Sequence, residues 1–180
     1  KVSGETYMFG NPPFIGARMM SKQQKEELSA AWGGMKGVNQ LDYVTGWHGM
    51  ALRLFSDSRR GSFAYVTTNS IVQGDQVPVL FEPIFSAGWR IRFAHRTFSW
   101  DSEAPGKAAV HCVIVGFDRA IVPRPRLWDY PKFKGNPAEV PVDRGVNAYL
   151  VDGPNVLVKA SRVPVSPTLS PARFGNMAND

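Results

Sequence analysis

Pro12 and Pro13 stand side by side directly after Thr6-Tyr7-Met8-Phe9-Gly10, a run of strand-forming residues. Neither proline can donate to a β ladder, so the strand must stop there and the chain must leave the sheet in a stiff turn. Every later element has to be compatible with a first strand that ends at Gly10. Ser21, with Gln24 three residues on, is a capping-box pattern that opens a helix over Lys22–Trp32, and Gly33-Gly34 stops it. A second helix is predicted over Leu41–Ser56. Leu41, Val44, His48, Ala51, Leu52 and Phe55 make one apolar face of it, and Tyr43, Trp47, Met50 and Leu54 make another. A helix apolar on both faces should be buried almost all round.

Ser62–Thr68 reads as a strand by β-propensity, and a helix follows over Gln76–Ala87 with Pro78 in its first turn, where proline is tolerated. Two strands come next, Arg90–Thr97 and Ala108–Phe117. In the first, Ile91 and Phe93 alternate with Arg90, Arg92 and Arg96, which predicts one apolar and one basic face. The second is apolar on both faces, as in a strand inside a covered sheet. The order strand, helices, strand, helix, strand, strand is that of an α/β sheet whose last strand runs antiparallel. Beyond Asp118, nine of the chain's 14 prolines recur too closely for long elements. An extended connector is predicted there, with one short helix near Val146–Val151.

With 17 Gly and 14 Pro in 180 residues, the chain is not a helical bundle or coiled coil, and it has no internal repeat. Cys112 is the only cysteine, which excludes an intrachain disulfide and a cysteine-based zinc site. His48, His95 and His111 lie on three elements with no ligand spacing, so no metal is expected. No apolar run reaches the length of a membrane span, and Lys1-Val2-Ser3 does not open a signal peptide; a cytoplasmic protein with no membrane partner is expected. The net charge of +6 is unevenly placed. Residues 88–134 hold nine basic residues against four acids, so this stretch carries five of the six excess charges. Such a segment suits a polyanion, or else forms a solvated face.

Asn11-Pro12-Pro13-Phe14 is the most specific signal. It follows the C-terminal end of a strand, where open α/β sheets place their active sites. An exocyclic amine on a nucleobase is a poor nucleophile because its lone pair is delocalised into the ring. Two acceptors set against its two N–H groups hold the nitrogen closer to tetrahedral and free that pair. The Asn11 side-chain oxygen and the Pro12 carbonyl are a natural pair, the second held rigid by consecutive prolines. Phe14 offers a ring on which an extruded base can stack. The plainer alternative is a surface turn after an edge strand.

Tyr7-Met8-Phe9-Gly10-Asn11-Pro12-Pro13-Phe14 resembles motif IV of the S-adenosylmethionine-dependent amino-DNA methyltransferases, in the form typical of adenine-N6 enzymes. Leu41-Asp42-Tyr43 is similar to motif V, and Phe63–Ile71 to motif VI. Arg96-Thr97-Phe98-Ser99-Trp100 through Gly106–His111 resembles the motif VIII hairpin. The resemblance is closest to large single-chain bacterial restriction-modification or phage-defence enzymes, and Phe174–Asp180 is similar to the threshold of their target-recognition domain. It implies a Rossmann-like class I methyltransferase sheet ordered 3-2-1-4-5-7-6, of which this chain supplies the C-terminal half, strands 4, 5, 7 and 6. Residues 1–118 are then the second half of a catalytic domain, and 119–180 the Pro-rich connector towards target recognition. The Gly-rich cofactor loop of the family is not in the chain, which also starts without Met, so a piece of a longer protein is expected, inactive by itself. An N-terminal half-domain of the parent is then a partner, and the edge where strand 1 belongs would also suit pairing with a second copy.

The resemblance further implies catalytic roles for Asn11, Pro12, Pro13 and Phe14, and a second stacking ring from Phe98 or Trp100. It implies cofactor binding by Asp42, although an acid at a helix start needs no function. Lys107, Arg96 and Arg92 are the candidates for contact with double-stranded DNA, and the cofactor of the parent is S-adenosylmethionine. Glutamine-N5 protein methyltransferases share the Asn-Pro-Pro-aromatic motif, so a protein or RNA methyltransferase is an alternative. A non-catalytic DNA-binding or assembly module is another.

Overall fold

The computed structural model describes residues 4–56, 60–100, 110–120, 124–161, 166 and 168. The first strand, β1 (Thr6–Gly10), ends where the two prolines begin, and it pairs in parallel with β2 (Gly61–Thr68). Helix α1 (Lys22–Ala31) opens on the expected capping box: Gln24 N–H donates to the Ser21 hydroxyl and Ser21 N–H donates to the Gln24 side chain. Gly33 and Gly34 end it in the left-handed region.

The second helix departs from its prediction. Leu41 and Asp42 are extended, so α2 starts only at Gly46 and runs to Leu54 after two 3-10 turns. The helical pattern there is overridden by tertiary hydrogen bonds, since Asp42 N–H donates to the Gln76 side chain and Tyr43 N–H to the Ile15 carbonyl. Nor is α2 buried all round. His48, Ala51 and the capping Phe55 are inside, but Met50 is 49% exposed and Trp47 half-buried. Helix α3 (Gln76–Ser86) forms as predicted, with Pro78 in its first turn.

Two further strands, β3 (Arg90–Trp100) and β4 (Val110–Asp118), complete the predicted set, β3 running three residues beyond its expected end. Strand β4 lies between β2 and β3 and is antiparallel to both, so β3 is parallel to β1 and β2. The spatial order β1-β2-β4-β3 with one reversed strand is that of a methyltransferase sheet's 4-5-7-6 half. The residues after Asp118 extend this sheet, contrary to a plain connector. Strand β5 (Arg126–Asp129) pairs in parallel with β3, and β6 (Ala138–Val140) pairs antiparallel with β5.

The helix expected near Val146–Val151 does not form. Asn147 N–H donates to the Val151 carbonyl across a tight turn, and the Asn147 side-chain oxygen accepts from the Tyr149 and Val151 amides. Leu150 sits at φ 55, outside any right-handed helix. An asparagine that captures nearby amides favours turns over helices. The apolar residues that suggested a helix, Val146, Ala148 and Leu150, instead cap the core.

Helices α2 and α3 share one core with the sheet, and α1 packs on α2. Phe63 and Phe117, opposed across β2 and β4, stack at 4.8 Å, and Trp89 meets Phe63 at 4.7 Å. The expected sharing of a face by Ile91 and Phe93 fails, because the register with β4 shifts between them. Ile91 opposes Phe117 on the helix side, whereas Phe93 opposes Gly116 on the other side. A bulge at this point turns over the side chains that follow, as far as a second register shift between His95 and Phe98. Gly116 makes room for that turn, since a Cβ there would lie 2.2 Å from the Phe93 ring.

The core also holds a histidine. His48 is fully buried among Tyr65, Phe117 and Phe63, at ring distances of 5.1, 5.9 and 6.1 Å. Burial pushes its imidazole down from 6.5 to about 4, against a partial pull upward from the Val44 and Thr45 backbone. Below pH 6.5 the unfolded chain takes up a proton at His48 that the folded chain refuses until about pH 4. Stability should therefore fall as pH drops through that window, by up to about 3 kcal/mol, and His48→Leu should flatten the slope. Denaturant unfolding of both proteins between pH 4 and 7 measures it.

Candidate active site

The parallel strands β1, β2 and β3 all end on one edge of the sheet, so Asn11, the Thr68–Ser70 turn and Trp100 share that edge. From Gly10 the chain enters a long loop, Asn11–Met20. Its first residues alternate: Asn11 and Pro13 are exposed, Pro12 is buried, and Phe14 is half-buried against the core. The Asn11 side chain makes no hydrogen bond among the described residues. Its amide group, with one acceptor and two donors, thus faces solvent at the rim of the sheet.

Asp42 anchors the rest of the loop. Its Oδ1 accepts from Ala17 N–H at 2.8 Å, and its Oδ2 accepts from the Ser70 hydroxyl and, at 3.4 Å, from the Thr68 hydroxyl. Its backbone carbonyl takes the Thr45 hydroxyl at 2.8 Å. With Tyr43 N–H on the Ile15 carbonyl at 2.9 Å, the turn before α2 grips the loop at two points. Both carboxylate oxygens are therefore spent on protein donors, and the group is only 7% exposed. A role as cofactor ligand, expected from the sequence, would have to compete with the three contacts of the carboxylate.

Beside Asn11–Pro13 lies a cleft of about 390 Å³, walled by the free edge of β1 with Trp47 and Tyr65. Neither of these two residues stood out as a site residue in the sequence. The signal for Tyr65 was its place in register beside Gly10, which offers no side chain to cover it, and only the sheet reveals that pairing. Tyr65 is 2% exposed, and its buried hydroxyl has no protein partner among the described residues. Burial pushes the phenol up to about 12, so it stays a neutral O–H group through physiological pH.

Phe98 is 9% exposed and packs against Tyr130 at 5.0 Å, while Trp100, 6.3 Å from Phe98, remains 42% exposed. Of the two expected stacking rings, only Trp100 has a face open to a ligand. The basic residues are separated from the loop or engaged. Arg92 lies towards the start of β3, away from the Asn11 edge, and pairs with Asp118 at 2.6 Å. Arg96 donates through Nε to the Leu150 carbonyl at 2.9 Å and through Nη1 to Asp129 at 3.4 Å. Arg126 holds Glu139 through two nitrogens, at 2.9 and 3.0 Å. Lys107 and Phe174–Asp180 lie outside the described residues. His95 stacks on Trp128 at 4.6 Å and shares a 2.8 Å hydrogen bond with the Tyr130 hydroxyl; burial lowers its pKa. Among the described residues no three His, Cys, Asp or Glu side chains are grouped to hold a metal, and no helix is long and apolar enough to cross a membrane.

Residues 1–129 match the family described as MmeI, DNA-methyltransferase domain. DNA methyltransferase A of Bacillus subtilis (strain 168) is 34% identical over 178 residues, which are 99% of this chain and 19% of that relative. The solved Type IIL restriction-modification enzyme MmeI, in complex with DNA, aligns with a TM-score of 0.83 and 38% identity over 89% of this chain and 21% of its own. The chain spans about a fifth of the length of these relatives.

The Tyr65 hydroxyl gives a direct test of the cleft's chemistry. A buried hydroxyl without a partner costs stability, so Tyr65→Phe should leave the protein as stable as the wild type or up to about 1 kcal/mol more stable. Thermal unfolding would show an unchanged or higher Tm; a clear drop would mean that the hydroxyl is satisfied within the protein.

Proposed function

The chain belongs to the MmeI DNA-methyltransferase domain family, and on that premise we propose that it supplies the base-orienting half of a site that methylates adenine N6 in double-stranded DNA. The reading rests on one observation: Asn11-Pro12-Pro13-Phe14 follows directly on the C-terminal end of β1, with the Asn11 amide unspent and Pro12 locked in the interior. Asn11 Oδ1 and the Pro12 carbonyl accept hydrogen bonds from the two N6 protons of an extruded adenine. They draw the amine towards tetrahedral geometry and localise its lone pair. Because the Pro12 carbonyl belongs to a buried residue between stiff neighbours, little reorganisation of that acceptor opposes the reaction. Phe14 lies under the base, and Trp100, the open ring at the end of β3, is the candidate for its other face.

S-adenosylmethionine, when bound, supplies a sulfonium methyl group for direct transfer without a covalent enzyme intermediate. The cleft beside Asn11–Pro13, lined in part by Tyr65, whose buried hydroxyl has no partner among the described residues, fits a polar group of that kind. This chain carries no Gly-rich phosphate or methionine loop, so the other contacts to the cofactor fall to the part of the protein beyond it, consistent with relatives five times as long. Phosphate contact falls to the segment joining β3 and β4, where Lys107 lies in sequence, more readily than to Arg92 and Arg96, which already hold Asp118 and Asp129. The residues after Asp118 first extend the catalytic sheet through β5 and β6, and those after β6 then lead towards target recognition.

Asn11→Ala in the full-length protein should lower methyl transfer by roughly 10²–10³-fold, the loss typical of one preorganised hydrogen-bonding group. Incorporation of labelled methyl into duplex DNA, followed by digestion to nucleosides, reads both the rate and the modified base. Wild-type turnover, or label on cytosine, would sink the reading.

A further inference from the structure

We propose that Asp42 is a positioning residue for the Asn11–Phe14 loop and not a ligand of the cofactor. The inference rests on the functional reading above and adds to it the part that holds the acceptor pair in place. The loop leaves β1 at Gly10 and has no regular structure before α1, so its own backbone cannot fix Asn11. The first two hydrogen bonds that tie it to the body of the protein are Tyr43 N–H to the Ile15 carbonyl and Ala17 N–H to Asp42 Oδ1. Ile15 follows Phe14 directly, so these two bonds set where the Asn-Pro-Pro-Phe run ends.

The other side of Asp42 is held just as firmly. Its Oδ2 takes the hydroxyls of Thr68 and Ser70, which lie 2.7 Å apart at the C-terminal end of β2, and its N–H reaches the Gln76 side chain at the start of α3. A single residue therefore joins these three places: its carboxylate ties the catalytic loop to the neighbouring strand end, and its backbone N–H reaches the next helix. Its 7% exposure and the donors on both carboxylate oxygens leave a ligand little access to it. An exposed acid at a helix start would show the reverse: a free carboxylate near helix N–H groups. Positioning of this kind acts on the rate, because displacement of the reacting groups by about 1 Å costs up to roughly 10²-fold.

The test uses the full-length protein and three variants beside Asn11→Ala. Asp42→Ala should lower kcat roughly 10–10²-fold and leave the Kd for S-adenosylmethionine within about twofold of wild type. It should also speed hydrogen exchange in the peptide covering Asn11–Met20, without cofactor present. Asp42→Asn keeps an acceptor for Ala17 and turns a donor to Ser70, so it should restore kcat to within a few-fold. Ser70→Ala removes only the Oδ2 side and should fall between the two, which keeps the inference testable if Asp42→Ala does not fold. A cofactor Kd that rises in step with the loss of rate would make Asp42 a ligand and overturn the proposal. Wild-type kcat and unchanged loop exchange in Asp42→Ala and Ser70→Ala would overturn it as well. Failure of Asn11→Ala to slow methyl transfer would instead sink the functional reading, whatever the exchange of the loop shows.

Discussion

Strand β4 decides how the rest of the molecule is arranged. It is apolar on both faces, so it must lie inside the sheet, and its backbone must be paired along both edges. It meets these demands by running antiparallel between β2 and β3. Because it opposes both neighbours, they are parallel to each other, and with β1 parallel to β2 the C-terminal ends of three strands reach the same edge. A β4 parallel to β2 and antiparallel to β3 would put Trp100 away from Asn11. The helices follow from the same arrangement. Phe117, Val115 and Val113 on β4 and Phe63, Tyr65 and Thr67 on β2 form one face, against which α2 and α3 bury His48, Phe55 and Phe81.

The candidate site combines a rigid part with a held part. Consecutive prolines limit the backbone at Pro12 and Pro13 without any help from the fold. Beyond them the loop depends on tertiary hydrogen bonds, and these converge on the turn at Asp42 and Tyr43. That turn interrupts what would otherwise be one continuous helix from Leu41, so the shortening of α2 and the anchoring of the loop are one event. Within α2, Gly49 lets the helix approach α1 closely: a Cβ there would lie 2.8 Å from the Ala31 carbonyl.

Much of the fold was legible because its signals are local. The ends of β1 and α1 were marked by Pro12, by the Ser21–Gln24 capping box and by Gly33-Gly34, all within a few residues of the boundary they set. Motif resemblance supplied the strand order. Where reading failed, the deciding partner was distant. Asp42 is drawn out of its helix by Ala17, Ser70 and Gln76, residues 25 to 34 positions away. The alternation of Ile91 and Phe93 looked like a single face because a bulge has no mark in the strand that carries it; the room for one is provided by Gly116 on the opposite strand. Strands β5 and β6 were hidden among prolines, since short edge strands tolerate proline nearby, and the pairing of β5 with β3 and of β6 with β5 depends on an exposed edge, not on their own propensity.

The sequence by itself determined that a strand ends at Gly10, that an Asn-Pro-Pro-Phe turn follows it, and that this turn has the groups to orient an exocyclic amine. Each of these depends on covalent constraint or on neighbours a few bonds away. The tertiary structure alone decided which groups remain available. It spent Asp42, Arg92 and Arg96 on protein partners, closed Phe98 against Tyr130, and left Trp100, the Asn11 amide and the Tyr65 hydroxyl uncommitted. Availability is a matter of what occupies the neighbouring space, and that space is filled by segments that meet only once the sheet has formed.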